Sequence, residues 1–363
     1  MRRLVGGEKL LGYTSAVLDD IRSQLAPDDV VLKEARERRD TVRRAAESFP
    51  GVLTSYRSGS LAHGTANCPV HHRDKGLDAD GGVVLDRRSH PLLGPDSVTD
   101  EGPNRIVDEM LEHLRPKVLK HYPAARFDIT KRAIFIEFHA PMSSGEDPTV
   151  DLVVGLRRRE EGLWIPNTEQ RRWDPSHPEK HTELLTGEPK SLRVTRARAI
   201  RLAKAENKRP GAKPDPPVCS FNLEALALMF IQPGQNVATA LLELWERGAA
   251  DLARRNTPDP AGVSAPIKVA DRTYAVERLT HAATMLRSAL DNDDDECRVR
   301  SALVQLWPDF VSATPHGETK ARIAARLQAG KRLAVTGTGA LATTGAVLKP
   351  TRSFGARHPG HRD

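Results

Sequence analysis

The chain has 363 residues, of which 39% are hydrophobic, enough to build one large two-lobed domain or two smaller ones. Three cysteines are too few for a disulfide framework. The sequence has no apolar run of about 18 residues and no N-terminal hydrophobic segment, which predicts a cytoplasmic protein without a membrane span. A formal net charge of +7 favours polyanionic ligands, a class that includes nucleoside triphosphates, RNA and DNA.

The N-terminal part of the chain has a helical pattern. Residues 15–48 alternate apolar and charged side chains at helical spacing, which predicts one long amphipathic helix packed across both lobes. Its charged residues include Arg36, Arg38 and Arg39. We interpret this cluster as a solvated helix face, with a polyanion site as the alternative.

A short turn follows, which begins with Gly59 and Ser60. Residues 61–66 can form a helical turn, and small residues at a helix N-terminus leave backbone N–H groups free to bind phosphate. The hydroxyl group of Ser60 would add a further donor. We therefore predict that this turn binds phosphate.

Three aspartates provide the strongest chemical signal. Asp78 and Asp80 stand two residues apart at the head of the apolar run Gly82–Leu85, so both project from one face of a strand while Ala79 points into the packing. Adjacent carboxylates repel each other unless a cation lies between them, which suggests one or two Mg²⁺ ions. Asp151 lies inside another apolar strand, where an ionised group is costly to bury unless it is paired or binds metal. It is the predicted third ligand.

The segments between and around these strands complete a first lobe. Residues 94–104 read as a loop and residues 106–119 as a helix on the sheet, followed by strands at 127–129 and 133–138. With the Asp151 strand these give a mixed sheet of about five strands. The pattern does not distinguish parallel from antiparallel members.

Helical periodicity prevails after residue 171. The predicted helices of this region span residues 191–207, 223–231, 237–253, 274–290 and 297–310. From residue 328 onward the chain is rich in Gly, Ala, Thr and basic residues without an amphipathic period. The sequence therefore predicts an α+β protein with a sheet-bearing lobe (1–170), a mostly helical lobe (171–327) and a disordered C-terminal tail (328–363).

These features resemble the polymerase-beta-like nucleotidyltransferase superfamily, whose members share a Gly-Ser, D-x-D and third-Asp pattern. Within it the chain is similar to the bacterial cGAS/DncV-like nucleotidyltransferases (CD-NTases, SMODS type) of CBASS antiphage systems. The narrower match rests on the interval of 18 residues between Ser60 and Asp78 and on four segments, at 163–167, 174–182, 201–207 and 219–224. It covers about residues 30 to 315. The chain departs from the family pattern at two positions. Family members usually have a larger aliphatic residue where this chain has Ala79, and an aromatic residue where it has Glu206.

The resemblance implies a polymerase-beta-like catalytic lobe that transfers nucleotides and releases pyrophosphate. Asp78, Asp80 and Asp151 would be the catalytic residues and would hold two Mg²⁺ ions, for which Mn²⁺ is a substitute. Asp151 would favour deprotonation of a ribose 2′- or 3′-hydroxyl.

The resemblance also implies how the substrate would bind. Gly59 and Ser60 would hold the β- and γ-phosphates, while Lys204 and Ser220 would reach the triphosphate from the second lobe.

The implied partners are nucleoside triphosphates such as ATP and GTP, which would be joined into a cyclic di- or oligonucleotide that signals to a downstream CBASS effector. A regulatory protein acting on the C-terminal tail is a further implied partner. Activation by nucleic acid is left undecided.

Several alternatives stay open at this point. One is a linear oligonucleotide, RNA-end or antibiotic-modifying nucleotidyltransferase, and another is a non-catalytic nucleic-acid-binding or antitoxin module on the same fold. A zinc site at His63, Cys68, His71 and His72 is a further alternative. The adjacency of His71 and His72 makes a compact tetrahedral site awkward, and no C-x-x-C pair supports it.

Overall fold

The computed structural model describes residues 12–68, 76–97, 101–213 and 215–315, with residues 317, 319, 320 and 322 and three short strands nearer the C-terminus. The described helices are α1 (Tyr13–Gln24), α2 (Asp29–Glu47), α3 (Gly59–His63), α4 (Gly102–Leu119), α5 (Pro178–Thr186), α6 (Lys190–Asn207), α7 (Ser220–Phe230), α8 (Val237–Arg254), α9 (Arg272–Asp291) and α10 (Glu296–Leu303). The described strands are β1 (Val52–Arg57), β2 (Asp78–Leu85), β3 (Arg126–Ile129), β4 (Ile134–Glu137), β5 (Thr149–Arg157), β6 (Leu163–Asn167), β7 (Arg172–Ser176), β8 (Ala334–Val335), β9 (Leu341–Ala342) and β10 (Ala346–Val347).

The main sheet is mixed, and its order among the described residues is β1-β2-β5-β4-β3, with β6 pairing with the end of β5 and β7 pairing with β6. Strands β2 and β5 are parallel, whereas their other pairings are antiparallel. The prediction of about five strands is too low, because β1, β6 and β7 were not predicted. In β1 only Tyr56 is buried, and β6 and β7 contain Pro166 and Pro175, so these segments lack the apolar alternation of a core strand.

The predicted long N-terminal helix is two helices. Pro27 cannot donate a backbone hydrogen bond, and the Asp28 side chain accepts one from the backbone N–H of Val30 at 2.7 Å, which caps the start of α2. Helix α1 packs in the helical core, and α2 packs on the sheet. The segment therefore crosses both lobes as predicted, but with a break at the crossing.

Two hydrophobic cores lie on either side of this break. The core under the sheet combines one face of α2 and α4 with β2, β4 and β5. The other core combines α1 with α6, α7, α8, α9 and α10, and includes the buried Trp245 and Trp307. Helix α10 ends at Leu303, earlier than predicted, and turns carry the chain through the buried Phe310. The α+β class is confirmed, whereas the proposed division at residues 171 and 328 stays a prediction.

In the predicted disordered tail, most residues lie outside the described ranges. The residues that are described there form β8, β9 and β10, which pair antiparallel with one another in a small separate sheet. None of the helices in the described ranges is long and apolar enough to cross a bilayer.

Both Arg38 and Arg39 on α2 are buried, so the interpretation of the arginine cluster as a solvated face is wrong at these two positions. Arg38 is the more deeply buried of the two. Its side chain is 1% exposed. Its guanidinium group donates to the Glu34 carboxylate at 2.7 Å, to the Asp147 carboxylate, and to the carbonyl oxygens of Pro148 at 2.9 Å and Ala140 at 2.6 Å. These bonds tie α2 to the segment that leads into β5, and so help to place the strand that carries Asp151.

We expect Arg38→Ala to lower the free energy of unfolding by about 2 to 3 kcal/mol, because two carboxylates and two carbonyl groups lose a charged donor in a largely buried site. Arg36→Ala is the matched control, since Arg36 is exposed on the same helix, and it should stay within about 0.5 kcal/mol of the wild type. Urea-induced unfolding followed by circular dichroism measures both. Equal stability of the two variants would contradict a structural role for Arg38.

Candidate active site

The parallel pairing of β2 with β5 brings the three predicted aspartates together. In this register Asp80 lies opposite Asp151, and Asp78 lies opposite Thr149. One carboxylate oxygen from each aspartate lies within 4.8 Å of the other two. Ala79 is fully buried on the opposite face of β2, as strand alternation predicts.

The electrostatics of Asp80 are those of a crowded, buried acid. Burial, together with the Asp78, Asp151 and Glu224 carboxylates, raises the pKa of Asp80 to about 8, although Lys204 acts in the opposite direction. Each neighbouring carboxylate disfavours the charged form, because like charges at short range repel strongly where water is excluded. Asp80 therefore needs a compensating cation nearby to be ionised at neutral pH.

The other two acids are also shifted. Burial and then the Asp78 carboxylate raise the pKa of Asp151 to about 7. Burial raises the pKa of Asp78 as well, against hydrogen bonds from the Thr149 hydroxyl at 3.1 Å and the backbone of Ala79. Ionising all three groups together is therefore unfavourable unless a positive charge lies nearby.

The donor set fits a magnesium ion. Atom Oδ1 of Asp151 is buried and has no hydrogen-bond partner, which is costly unless another ligand satisfies it. Carboxylate oxygens are the ligands that Mg²⁺ prefers in proteins. Within the described part of the chain, these three aspartates are the only cluster of three metal-binding side chains.

Gly59 lies directly against Asp80. A Cβ atom at this position would lie 1.6 Å from Asp80 Oδ2, and the backbone has a φ of +71°, which side chains rarely tolerate. The backbone N–H of Ser58 donates to the carbonyl oxygen of Asp80 at 3.3 Å. Glycine is thus required for the start of α3, with Ser60, to lie beside the acids.

The acids face a cleft between the two lobes that encloses about 480 Å³. This volume is in the range of small-molecule sites. All of the predicted phosphate-binding residues line it: Gly59, Ser60, Lys204 and Ser220. The structure therefore places these four residues and the Asp78 and Asp80 pair around one cavity, while Asp151 adjoins Asp80 in the sheet.

Lys204 differs from the exposed cation that its basic helix suggests. Its side chain is 7% exposed, and its ammonium group donates to the Glu224 carboxylate at 2.7 Å and to the Thr65 hydroxyl at 3.0 Å. Sequence reasoning did not assign a role to Glu224 or Thr65. No local pattern could have paired them, because the two residues are 159 positions apart.

The ring of His63 has both nitrogens in hydrogen bonds, Nδ1 with Glu224 at 3.0 Å and Nε2 with the Thr182 hydroxyl at 3.1 Å. This arrangement gives His63 partners other than zinc. The thiol of Cys68 donates to the carbonyl oxygen of Gln24 at 3.3 Å, while His71 and His72 lie outside the described residues.

His181 is a further residue of the cleft that the sequence did not single out. It hydrogen-bonds to Asp259 at 2.6 Å and packs against Phe221, with ring centroids 4.7 Å apart. Burial raises the pKa of Asp259, but hydrogen bonds from Ser264, His181 and Ala261 outweigh it and bring that pKa to about 2. The Asp259 carboxylate is thus available to fix the orientation of His181.

No family model matches the sequence, and no curated protein is detectably similar to it. Solved structures do match. The GTP complex of the CD-NTase CdnG from Bradyrhizobium diazoefficiens has a TM-score of 0.57 and 19% identity over 80% of this chain and 98% of its own. CdnC of E. coli MS115-1 with ATP has a TM-score of 0.57 and 16% identity over 83% of this chain and 99% of its own.

A third similar structure is the cyclic AMP-GMP synthase DncV of Vibrio cholerae, solved with the linear intermediate 5′ pppA(3′,5′)pG. It has a TM-score of 0.53 and 12% identity over 83% of this chain and 87% of its own. The chain thus has the nucleotidyltransferase fold of these CD-NTases across most of its length. The resemblance predicted from the sequence is confirmed at the level of the fold.

The raised pKa of Asp80 predicts a pH-dependent stability in protein free of divalent cations. Because the folded-state pKa of about 8 exceeds the ordinary 3.8, the folded state binds more protons over this range, and the free energy of unfolding falls as pH rises from 3.8 to about 8. Asp80→Asn has no proton to lose there. Its melting temperature should be nearest to that of the wild type at or below about pH 3.8, and should exceed it by an amount that grows with pH and reaches about 2 °C or more at about pH 8.5.

Differential scanning fluorimetry across this pH range measures the difference, with Asp128→Asn on the exposed face of β3 as the matched control. Addition of Mg²⁺ should stabilise the wild type more than Asp80→Asn. A difference in melting temperature that does not change with pH would contradict the assignment of a raised pKa to Asp80.

Proposed function

We propose that this protein is a Mg²⁺-dependent nucleotidyltransferase that joins nucleoside triphosphates into a cyclic di- or oligonucleotide and releases pyrophosphate. The observation that carries the proposal is the cluster of Asp78, Asp80 and Asp151 beside the Gly59 turn in a cleft of suitable volume. CD-NTases of the same fold were solved with GTP, with ATP and with a linear dinucleotide intermediate. The signal would act in antiphage defence of the CBASS type, through a downstream effector.

The chain's own residues have distinct tasks in this proposal. Asp78 and Asp80 would hold both Mg²⁺ ions, and Asp151 would share the one nearer the attacking hydroxyl group. Two such ions, when bound, stabilise the attacking and leaving oxygens of a phosphoryl transfer. Gly59 and Ser60 would bind the β- and γ-phosphates through backbone and hydroxyl donors.

Residues of the second lobe would also bind the triphosphate. Ser220 is exposed at the start of α7 and faces the cleft, so its hydroxyl is free to donate. Lys204 would contribute positive charge from a buried, oriented position, since its ammonium group has three N–H bonds and the protein uses two of them. Such transfers depend mostly on positioning and charge neutralisation, and both are properties of this cleft.

A regulatory protein that acts on residues 328–363 belongs to the same proposal. One of the similar structures is a complex of E. coli CdnC with a HORMA protein, with a TM-score of 0.56 and 16% identity over 84% of this chain and 99% of its own. It shows that a protein of this fold is bound by a protein partner. The basic tail rich in Gly and Thr is the segment of this chain that we propose for such contact.

The direct test is incubation of the purified protein with Mg²⁺ and all four radiolabelled ribonucleoside triphosphates, followed by phosphatase. A labelled product that resists phosphatase and has no free end by mass spectrometry supports cyclisation. A phosphatase-sensitive oligomer would instead indicate a linear nucleotidyltransferase. The absence of any product, together with the absence of triphosphate binding, would indicate a non-catalytic module.

We expect Asp80→Ala and Asp151→Ala each to abolish product formation, with a loss of at least about a thousand-fold in rate, because charge neutralisation at the transferred phosphoryl group fails. Both variants should remain folded, since buried like charges oppose stability. Asp128→Ala, on β3 of the same sheet, should be fully active. Substantial turnover by Asp80→Ala would contradict the metal assignment.

Ser60→Ala should be milder, with a rise in KM of about ten-fold, because the neighbouring backbone donors remain. Steady-state kinetics of product formation measure this. If Ser60→Ala removed activity while triphosphate binding stayed intact, the residue would have a task other than binding phosphate.

Truncation after Ala329 should leave synthesis by the purified enzyme unchanged, because the described part of the tail pairs only with itself. Comparison of product formation and melting temperature for the full and shortened chains tests this. Loss of synthesis at unchanged melting temperature would show that the tail contributes to the active site.

A further inference from the structure

Glu224 lies where the two lobes meet. Its Oε1 atom accepts from Lys204 of α6 and from the Thr65 hydroxyl, which is 2.7 Å away and belongs to the segment after α3. Its Oε2 atom bonds to His63, the last residue of α3. One carboxylate therefore connects α3 of the sheet lobe with α6 and α7 of the helical lobe.

The charge on Glu224 makes a buried lysine tolerable in the cleft. Burial raises the pKa of Glu224, but Lys204 and His63 outweigh that effect and bring it to about 2, so the carboxylate is ionised at neutral pH. An ammonium group as buried as that of Lys204 is costly to place without such a partner. Glu224 therefore keeps a positive charge at a fixed place in the cavity wall.

The same carboxylate also holds α3. This helix has only five residues, and Gly64 ends it in a left-handed conformation with φ of +70°. Ser60 and His63 belong to this same short helix, so the bond from Glu224 to His63 ties the helical lobe to the helix that carries Ser60. Glu224 is thus bonded both to the helix that carries Ser60 and to Lys204.

We propose that Glu224 is a positioning residue for triphosphate binding. It would align Lys204 with the turn at the start of α3 so that both bind the phosphates of one nucleotide. This inference rests on the function proposed above. Glu224 acts through Lys204, His63 and Thr65, and requires no contact of its own with the substrate.

A matched control exists on α6, two residues after Lys204. Glu206 is also buried, and its carboxylate forms an ion pair with Arg278 at 3.0 Å. Both partners belong to the helical lobe, and this pair does not reach α3. Glu206→Gln therefore reproduces the loss of a buried carboxylate without loss of the link between lobes.

The experiment compares Glu224→Gln with Glu206→Gln in the full-length protein. Binding of a non-hydrolysable ATP analogue in Mg²⁺ is measured by calorimetry, together with KM, kcat and melting temperature. Both variants should be destabilised, whereas only Glu224→Gln should weaken analogue binding and raise KM by about ten-fold or more, with a smaller change in kcat. A purely structural role would not separate the two variants in this way.

Thr65→Val provides a second variant that keeps the Glu224 to Lys204 ion pair but removes the hydroxyl group that bridges it to the sheet lobe. It should raise KM by a smaller factor than Glu224→Gln does. This variant also keeps the test decisive if Glu224→Gln does not fold.

Three results with the variants would overturn the inference, and one with the wild type would overturn the proposed function as well. If Glu224→Gln bound the analogue as tightly as Glu206→Gln does, positioning through this link would be excluded. An unchanged KM in Thr65→Val would exclude it too. Tighter binding by Glu224→Gln would show that Glu224 restrains Lys204 instead. If the wild-type protein binds no triphosphate, the proposed function fails first and the positioning role fails with it.

Discussion

Repulsion among three carboxylates is the constraint on which the rest of the site depends. The parallel register of β2 and β5 places Asp80 opposite Asp151, and Asp78 lies on the same face of β2. Burial raises the pKa of all three groups, and neighbouring carboxylates raise the pKa of Asp80 and Asp151 further. A protein holds such a cluster only where surrounding structure enforces it, and the energy stored there is available to bind cations. The bare Gly59 backbone against Asp80 and the open cleft are the features that let a charged ligand reach the cluster.

Two buried cations illustrate different uses of the same chemistry. Arg38 is surrounded by two carboxylates and two carbonyl groups, so all of its charge is directed into the protein and its task is to hold α2 against β5. Lys204 shares one carboxylate with Thr65 and His63 and lines the cleft. Its ammonium group uses two of its three N–H bonds within the protein. A buried cation that lines a cavity is suited to bind an anion, whereas one whose partners all belong to the protein core is suited to a structural role.

The similar CD-NTase structures have between 12% and 19% identity to this chain, yet they align over about four fifths of it. Such divergence is tolerated because a sheet and a helical core accept many apolar side chains, provided that volume and pattern are kept. The requirements at the site are stricter. Glycine at position 59 and an acid at position 80 depend on each other, because the space for the Asp80 side chain exists only where no Cβ is present. Function has to be argued from that site, because the fold alone hosts many activities.

The amino-acid sequence by itself determined the local part of this structure. Strand alternation placed Asp78 and Asp80 on one face and Ala79 on the other, and the Asp151 strand and most helices of the second lobe followed from their periodicity. Pro27 also marks the break between α1 and α2 in the sequence, but the helical pattern on both sides of it led to the prediction of a single helix. Strands β1, β6 and β7 were not predicted. Only one residue of β1 is buried, and β6 and β7 each contain a proline, so none of the three shows the alternation of apolar and polar residues that predicts a strand.

Tertiary structure decided which of these local features meet. Three contacts join distant parts of the chain. Strand β2 pairs in parallel with β5, and Arg38 is buried among groups more than 100 residues away. Glu224 is bonded to Thr65, His63 and Lys204. The physical reason is that side-chain periodicity depends on neighbouring residues, whereas the partner of a charged group is chosen by how whole elements pack. The sequence therefore contained the acids and their spacing, and only the folded chain determined that a buried carboxylate would hold the lysine beside them.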